Sequence, residues 1–308
     1  MAHDPGANIV ALDIGGSHIS GALFDLPHQR LGNVLHVSIP SGGAAEEFLD
    51  AVVALCRAIL PHPGSIAGVS AAMPNPFDYG RGISYMKHKF QQLYGVDLRQ
   101  ALASRLDLDP GGIHFLNDAA AFLIGELHQG SAVGVEKAVG ITLGTGIGSA
   151  FAVHGRPVLN GFGVPPGGEV WNLPYRGGVI EDWAGTAAIK RLHLELTGRD
   201  AHVHEIAAAA AQDGDGYNRD ARRTFELFGR ELGKLLRFTT EEFAPQRIVI
   251  GGRIALSASL FFPAAQKELA GLPTEICASK LGDDAPLIGA AMSWIDRPAS
   301  SNRPPQEK

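Results

Sequence analysis

Short apolar runs rich in valine and isoleucine recur along the early part of the chain: IVALDI (9–14), ISGALFD (19–25), VLHVSIP (34–40), AGVSAAM (67–73) and IHFL (113–116). Runs of this length, bounded by glycine and polar turns, predict strands. Between them, EEFLDAVVALCRAIL (46–60) and DLRQALASRL (97–106) repeat apolar positions at helical spacing. Strands that give way to helices in this order predict an α/β layering.

A second stretch, KAVGITLGTGIGSAFAVHGRPVLN (137–160), predicts strand, glycine turn, strand, polar turn, strand. It looks like a remote copy of residues 10–40, since both turn on glycine between two apolar strands. The chain therefore reads as two α/β lobes, 1–117 with 285–308 and 118–284, and a cleft between duplicated halves is the expected place for a small ligand. HEIAAAAAQDGDG (204–216) predicts a helix ending at its glycines, because alanine is the strongest helix former. FELFGRELGKLLRF (225–238) has the stripe of a core helix or a subunit interface, and the proline-rich tail RPASSNRPPQEK (297–308) is expected to be disordered.

Composition narrows the classes. The 308 residues are 45% apolar and 19% charged with formal net charge −6, ordinary for a soluble globular protein and without a basic face for nucleic acid. Two cysteines, Cys56 and Cys277, can build neither a disulfide framework nor a cysteine-rich metal site, which fits a reducing compartment. No apolar run reaches the roughly 18 residues of a membrane span, and MAHDPGAN lacks the order of a signal peptide, so a cytoplasmic protein is expected.

Several segments could carry chemistry. In LDIGGSHISG, Asp13 closes a buried strand, and Gly15, Gly16 and Ser17 follow at once. Backbone N–H groups there can approach phosphate while Asp13 faces a divalent cation, although a hairpin with a solvated aspartate fits the same residues. LGTGIGS (143–149) leaves little bulk at Gly144, Thr145 and Gly146, so a polyphosphate can lie against the backbone. Its spacing is neither the dinucleotide fingerprint nor a P-loop. RIVIGGRIA (247–255) ends a strand at Gly251 and Gly252, a platform for a base or ribose, or simply a tight turn. LNDAAAFLIGEL (116–127) places Asp118 at the positive end of a helix, either ready to accept a proton or serving as an N-cap.

GGEVWNLPYRGGVIEDWAG (167–185) has no periodicity but holds two tryptophans, a tyrosine and three acidic residues. Mobile linkers rarely spend so many large rings, so the segment is expected to be ordered and its carboxylates directed at a ligand. His202 and His204 in AHVHE lack a third ligand nearby and read as a solvated helix start. His18 receives no role.

Taken together and in order, these motifs resemble the ROK family of sugar kinases, within the actin-like ATPase superfamily. LDIGGS looks like the family's first phosphate motif, LGTGIGS its second, IVIGGR its adenosine motif and LNDAAA the segment with its catalytic aspartate; AAMPNPFD (71–78) looks like its sugar-side loop and LGDDAPLIGAAM (281–292) like its closing segment. The resemblance runs from about Ile9 to Met292. In the family the 168–172 position reads roughly G-E-I-G-H, followed by a cysteine cluster for structural zinc and a glutamate. Here the residues are Gly168, Glu169, Val170, Trp171 and Asn172, then Val179 and Glu181: both glutamates remain, and the zinc ligands do not. Packing of Trp171, Tyr175, Trp183 and the prolines is expected to hold the loop instead.

The resemblance implies a two-lobed actin-like ATPase fold, a ribonuclease H-like unit duplicated around a central ligand cleft. It implies ATP and Mg²⁺ as cofactors, no zinc, and a homodimer. On its terms Asp118 is the general base for a hexose hydroxyl, the 6-OH, attacking the γ-phosphate. Asp13 positions Mg²⁺ through water; Gly15, Gly16, Ser17, Gly144, Thr145 and Gly146 cradle phosphate; Gly251 and Gly252 border the adenosine. Asn117, Asp118, Glu169, Asn172 and Glu181 bind the sugar. The hexose, an N-acetylated amino sugar as acceptor, and polyphosphate in place of ATP stay open. Some members are repressors with a helix-turn-helix domain ahead of the first motif; only about eight residues precede it here, which argues against DNA binding. A zinc-less sugar sensor with weakened catalysis is the remaining alternative.

Overall fold

In the computed structural model, which describes residues 8–39, 43–60, 62, 66–87, 89–212 and 214–297, the chain divides into two units, Met1–Ala121 with Pro286–Lys308 and Phe122–Ala285. The expected disordered tail beyond Arg297, the opening heptapeptide and Pro40 lie outside the described residues.

The first unit runs β1 (Asn8–Ile14), β2 (His18–Asp25), β3 (Arg30–Leu31), β4 (Leu35–Ser38), α1 (Ala45–Ile59), β5 (Gly68–Met73), the short pair β6 (Phe77–Asp78) and β7 (Ile83–Ser84), α2 (Leu98–Leu106) and β8 (Ile113–Asn117). β1 pairs antiparallel with β2 and parallel with β5, which pairs parallel with β8, while β3 and β4 both extend from β2. One face packs on α1 through Phe48, Leu49, Val52, Val53, Leu55 and Cys56, which recur at helical spacing and are all buried.

α3 (Asp118–Gln129) carries the chain onward, and the division between units falls inside it. The second unit continues with β9 (Lys137–Leu143), β10 (Ile147–Val153), β11 (Arg156–Val158), the small hairpin β12 (Pro174–Tyr175) and β13 (Gly178–Val179), α4 (Gly185–Thr197), α5 (Val203–Ala210), α6 (Tyr217–Thr240), β14 (Arg247–Gly251), α7 (Ala258–Glu268) and β15 (Glu275–Ala278). Its sheet order, β11-β10-β9-β14-β15, repeats the β3-β2-β1-β5-β8 path of the first unit. Directions repeat too: an antiparallel glycine-turn hairpin, then two strands added in parallel. The duplication expected from the glycine turns is therefore present in the topology.

Each unit has its own core, one drawn from residues between Val10 and Phe115 and the other from residues between Val139 and Ile276. On α6, Phe225, Phe228, Leu232, Leu235 and Leu236 are buried in the second core, so its stripe is core. α5 stops at Ala210 rather than at the glycines, because Ala211 and Gln212 close a tightened turn in which the Gln212 N–H reaches the Ala209 carbonyl (3.2 Å).

α8 (Ala285–Asp296) returns to the first unit and covers the other sheet face. The buried Ser70 hydroxyl donates to the Ala290 carbonyl (2.6 Å), and His114 Nε2 meets Ser293 Oγ (3.0 Å). The Trp294 ring lies so close over Gly68 that a Cβ there would fall 2.1 Å from it.

Candidate active site

In the first unit, the predicted residues collect at the C-terminal ends of the parallel strands, the end at which open α/β sheets bind ligands. Asp13 is the penultimate residue of β1 and pairs in register with Ala72 of β5, whose last residue, Met73, pairs with Asn117 of β8. Gly15, Gly16 and Ser17 form the turn into β2, closed by the Gly15 N–H on the His18 carbonyl (3.0 Å). Gly16 and Ser17 are exposed, and a Cβ on Gly16 would meet nothing within 4 Å. Packing does not demand that glycine; its effect is to leave the backbone open to an approaching group.

Asn117 and Asp118 divide their work in a way the sequence leaves ambiguous. Asn117 Oδ1 accepts the Ala120 N–H (3.0 Å), so Asn117 is the N-cap of α3 and Asp118 its first residue. Asp118 Oδ1 accepts from the Ala119 N–H (2.8 Å) and from Asn117 Nδ2 (3.1 Å). Asp118 retains some contact with solvent, but loss of hydration within the surrounding protein is the largest influence on its carboxyl and raises its pKa above the ordinary 3.8. The Ala119 N–H, the Lys89 charge and Asn117 oppose that shift without cancelling it.

Tyr79, which sequence reasoning missed, joins the 74–79 loop to this corner. Its hydroxyl accepts from Asn117 Nδ2 (3.3 Å) and lies within hydrogen-bonding distance of Asn75 Oδ1 (2.7 Å) and the Met73 carbonyl (2.9 Å). It sits one residue beyond the AAMPNPFD segment, and only the folded loop brings it to Asn117.

In the second unit, the 144–146 turn follows β9 and Gly251 and Gly252 follow from β14, with Gly251 in register with Thr142. Gly252 has φ +82°, and a Cβ on it would lie 2.4 Å from the Leu143 carbonyl, so the two glycine turns touch through backbone alone. Thr145 is exposed, and a Cβ on Gly144 would meet nothing. Gly185 and Thr186, at the start of α4, were also missed: the Thr186 N–H and hydroxyl both donate to the Gly144 carbonyl (2.9 Å each).

Glu181 meets this turn, and Trp171 links it to Glu169. Glu181 Oε2 accepts the Ile147 N–H (3.3 Å) and lies where a Cβ of Gly146 would be, while the Glu181 N–H donates to the Trp171 carbonyl (3.0 Å). Trp171 Nε1 donates to Glu169 Oε2 (2.9 Å). Asn172 is exposed in the turn that the Leu173 N–H closes on the Val170 carbonyl (3.1 Å).

The aromatic residues of the loop separate into two groups. Tyr175 packs on Phe238 (centroids 5.6 Å) and Trp183 (6.2 Å), and the Arg176 guanidinium lies over both Tyr175 (5.1 Å) and Trp183 (5.4 Å). Glu231 of α6 accepts from the Tyr175 hydroxyl (3.2 Å) and from Arg176 Nη1 (2.7 Å), pinning the hairpin to that helix. Trp171 does not join this packing: it is 42% exposed, and its indole is spent on Glu169.

The donor set decides which ions suit the site. Structural zinc needs about four nitrogen or sulfur ligands; Asn172, Val179 and a segment without cysteine do not provide them. Among the described residues, no group of three or more His, Cys, Asp or Glu could hold a metal ion. Magnesium asks less of the protein, often one or two carboxylates with water and substrate phosphate, and Asp13 beside an open glycine turn fits that demand.

The ROK family model matches residues 9–297. The chain is 27% identical to the glucokinase of Thermotoga maritima, covering 93% of this chain and 97% of that protein. It is 25% identical to the N-acetyl-D-glucosamine kinase of Shigella boydii, covering 84% and 86%. Among solved structures, the ROK hexokinase from Thermus thermophilus superposes with a TM-score of 0.74 at 25% identity, covering 93% and 97%. No helix among the described residues is long and apolar enough to cross a membrane.

Proposed function

The chain belongs to the ROK family and has its two-lobed actin-like ATPase fold, and from that premise we propose that it is an ATP-dependent sugar kinase. One observation carries the proposal: Asn117 caps α3, and the Asp118 carboxylate, engaged by the Ala119 N–H and Asn117 through Oδ1, sits in a setting that raises its proton affinity. A general base works best when its pKa approaches the working pH, and an aspartate at the ordinary value is a poor one.

Asp118 accepts the proton of a hexose hydroxyl, the 6-OH, as that oxygen forms its bond to the γ-phosphorus of ATP. The bond from that phosphorus to the β-γ bridging oxygen breaks, and ADP leaves with the electron pair. Asn117 orients Asp118 through its side-chain N–H, and Tyr79 fixes Asn117 in turn. The turns Gly15–Ser17 and 144–146 cradle phosphate through N–H groups other than those of Gly15 and Gly144, which close the turns on the His18 and Gly146 carbonyls, and Gly251 and Gly252 border the adenosine. Asp13 would position Mg²⁺ through water, and the ion would supply neutralisation of phosphate charge. Glu169 and Glu181 accept sugar hydroxyl protons in hydrogen bonds, with Asn172 able to add one more.

Names of the relatives make glucose and N-acetyl-D-glucosamine the first acceptors to try. The test is a coupled ADP-release screen over a hexose panel with ATP and Mg²⁺, repeated with polyphosphate as donor. Acceptor-dependent ADP release supports the proposal. Sugar binding without phosphoryl transfer from either donor would make the protein a sensor instead.

A further inference from the structure

We propose that Trp171 is a positioning residue that sets the direction of the Glu169 carboxylate for the acceptor sugar; this rests on Glu169 being a sugar ligand. The backbone around Glu169 is fixed by one buried hydroxyl: Ser149 Oγ donates to the Gly168 carbonyl (2.7 Å) and accepts the Val170 N–H (3.0 Å). Val170 itself is buried, 1% exposed. Those contacts place the Cα of Glu169 and do not by themselves fix the direction of its carboxylate.

The Trp171 indole meets that need. Its N–H is a donor only, and it engages Oε2 at 2.9 Å, which fixes the direction in which the carboxylate faces. Trp171 is held in turn by its own carbonyl, which accepts the Glu181 N–H (3.0 Å). One residue thus anchors the backbone of one glutamate and the carboxylate of the other. A tryptophan left 42% exposed is not explained by core packing, and its hydrogen bond supplies the reason.

The test uses the full chain with Trp171→Phe, which keeps a ring and removes the donor, Glu169→Ala, and the double variant. Binding of D-glucose and of N-acetyl-D-glucosamine is followed by calorimetry, so turnover is not needed. Trp171→Phe is expected to weaken sugar binding about 3- to 10-fold, the scale of a half-exposed hydrogen bond to a charged group, with nucleotide affinity unchanged. In the Glu169→Ala background the same substitution should add nothing. Independently of any sugar, the indole N–H resonance that disappears in Trp171→Phe should move upfield in Glu169→Ala. Wild-type sugar affinity in Trp171→Phe, losses that multiply in the double variant, or an unmoved indole resonance would each overturn the assignment. Failure of the wild-type chain to bind or phosphorylate any sugar would overturn the kinase reading along with it.

Discussion

Asp118 is expected to act on rate and on stability in opposite senses. Asp118→Asn should cut turnover about 10²- to 10⁴-fold, the range for loss of a general base, as read from ADP release. The folded-state pKa of Asp118 lies above its ordinary 3.8, so the folded chain holds this proton more tightly than the unfolded chain does. Its stability contribution is full at low pH and is lost as pH rises through the raised value. The asparagine variant should therefore melt higher than wild type at pH 7, and the gap should close as pH falls below about 4; thermal melts between pH 3 and 8 check this. Asparagine and aspartate cap helices equally well, so the LND tripeptide does not say which residue caps. The bond from the Ala120 N–H to Asn117 Oδ1 decides it. Tyr79 was hidden for a related reason: a turn brings it to Asn117, and nothing in the local pattern marks it.

Pairs of elements explain two further features. Where β8 meets α8, burial, with help from Arg297 and Arg99, pushes His114 down to about 4. A base with a depressed pKa stabilises the fold while neutral, so this contribution is present above about 6.5 and lost as pH falls towards 4. At 1.36 kcal/mol per pH unit it amounts to at most about 3 kcal/mol. His114→Gln should flatten that part of the acid stability profile, measured by urea unfolding from pH 4 to 8. Where the β12–β13 hairpin meets α6, Glu231 holds Tyr175 and Arg176. Glu231→Ala should cost about 1–2 kcal/mol and raise the KM for sugar more than that for ATP, while a chelator leaves the melting temperature of the magnesium-free wild type unchanged. The sequence showed that the 167–185 loop lacks cysteine and histidine, and it led to the expectation that aromatic packing holds the loop. That packing was legible only in part, because Tyr175 and Trp183 do pack whereas Trp171 bonds to a carboxylate, and no periodicity distinguishes those fates.

For the whole molecule, glycine spacing revealed the repeated sheet, since IGGS and LGTGIGS each turn one hairpin. Periodicity could not show how unequally the two units use the chain. The second unit is continuous from Phe122 to Ala285, whereas the first is completed by residues from Pro286 onward. A fragment spanning 122–285 is expected to fold alone with a single cooperative melt and dispersed amide resonances, because its core is drawn from within that span. A fragment spanning 1–121 should stay unfolded, since it lacks the helix that covers Ser70, His114 and Gly68.

That last helix also imposes an order on biosynthesis. A ribosome adding roughly 5–20 residues per second delivers everything needed for the inserted unit before it delivers Trp294. The half made first must therefore finish last, and a nascent chain arrested just short of α8 would present a bare sheet face to chaperones.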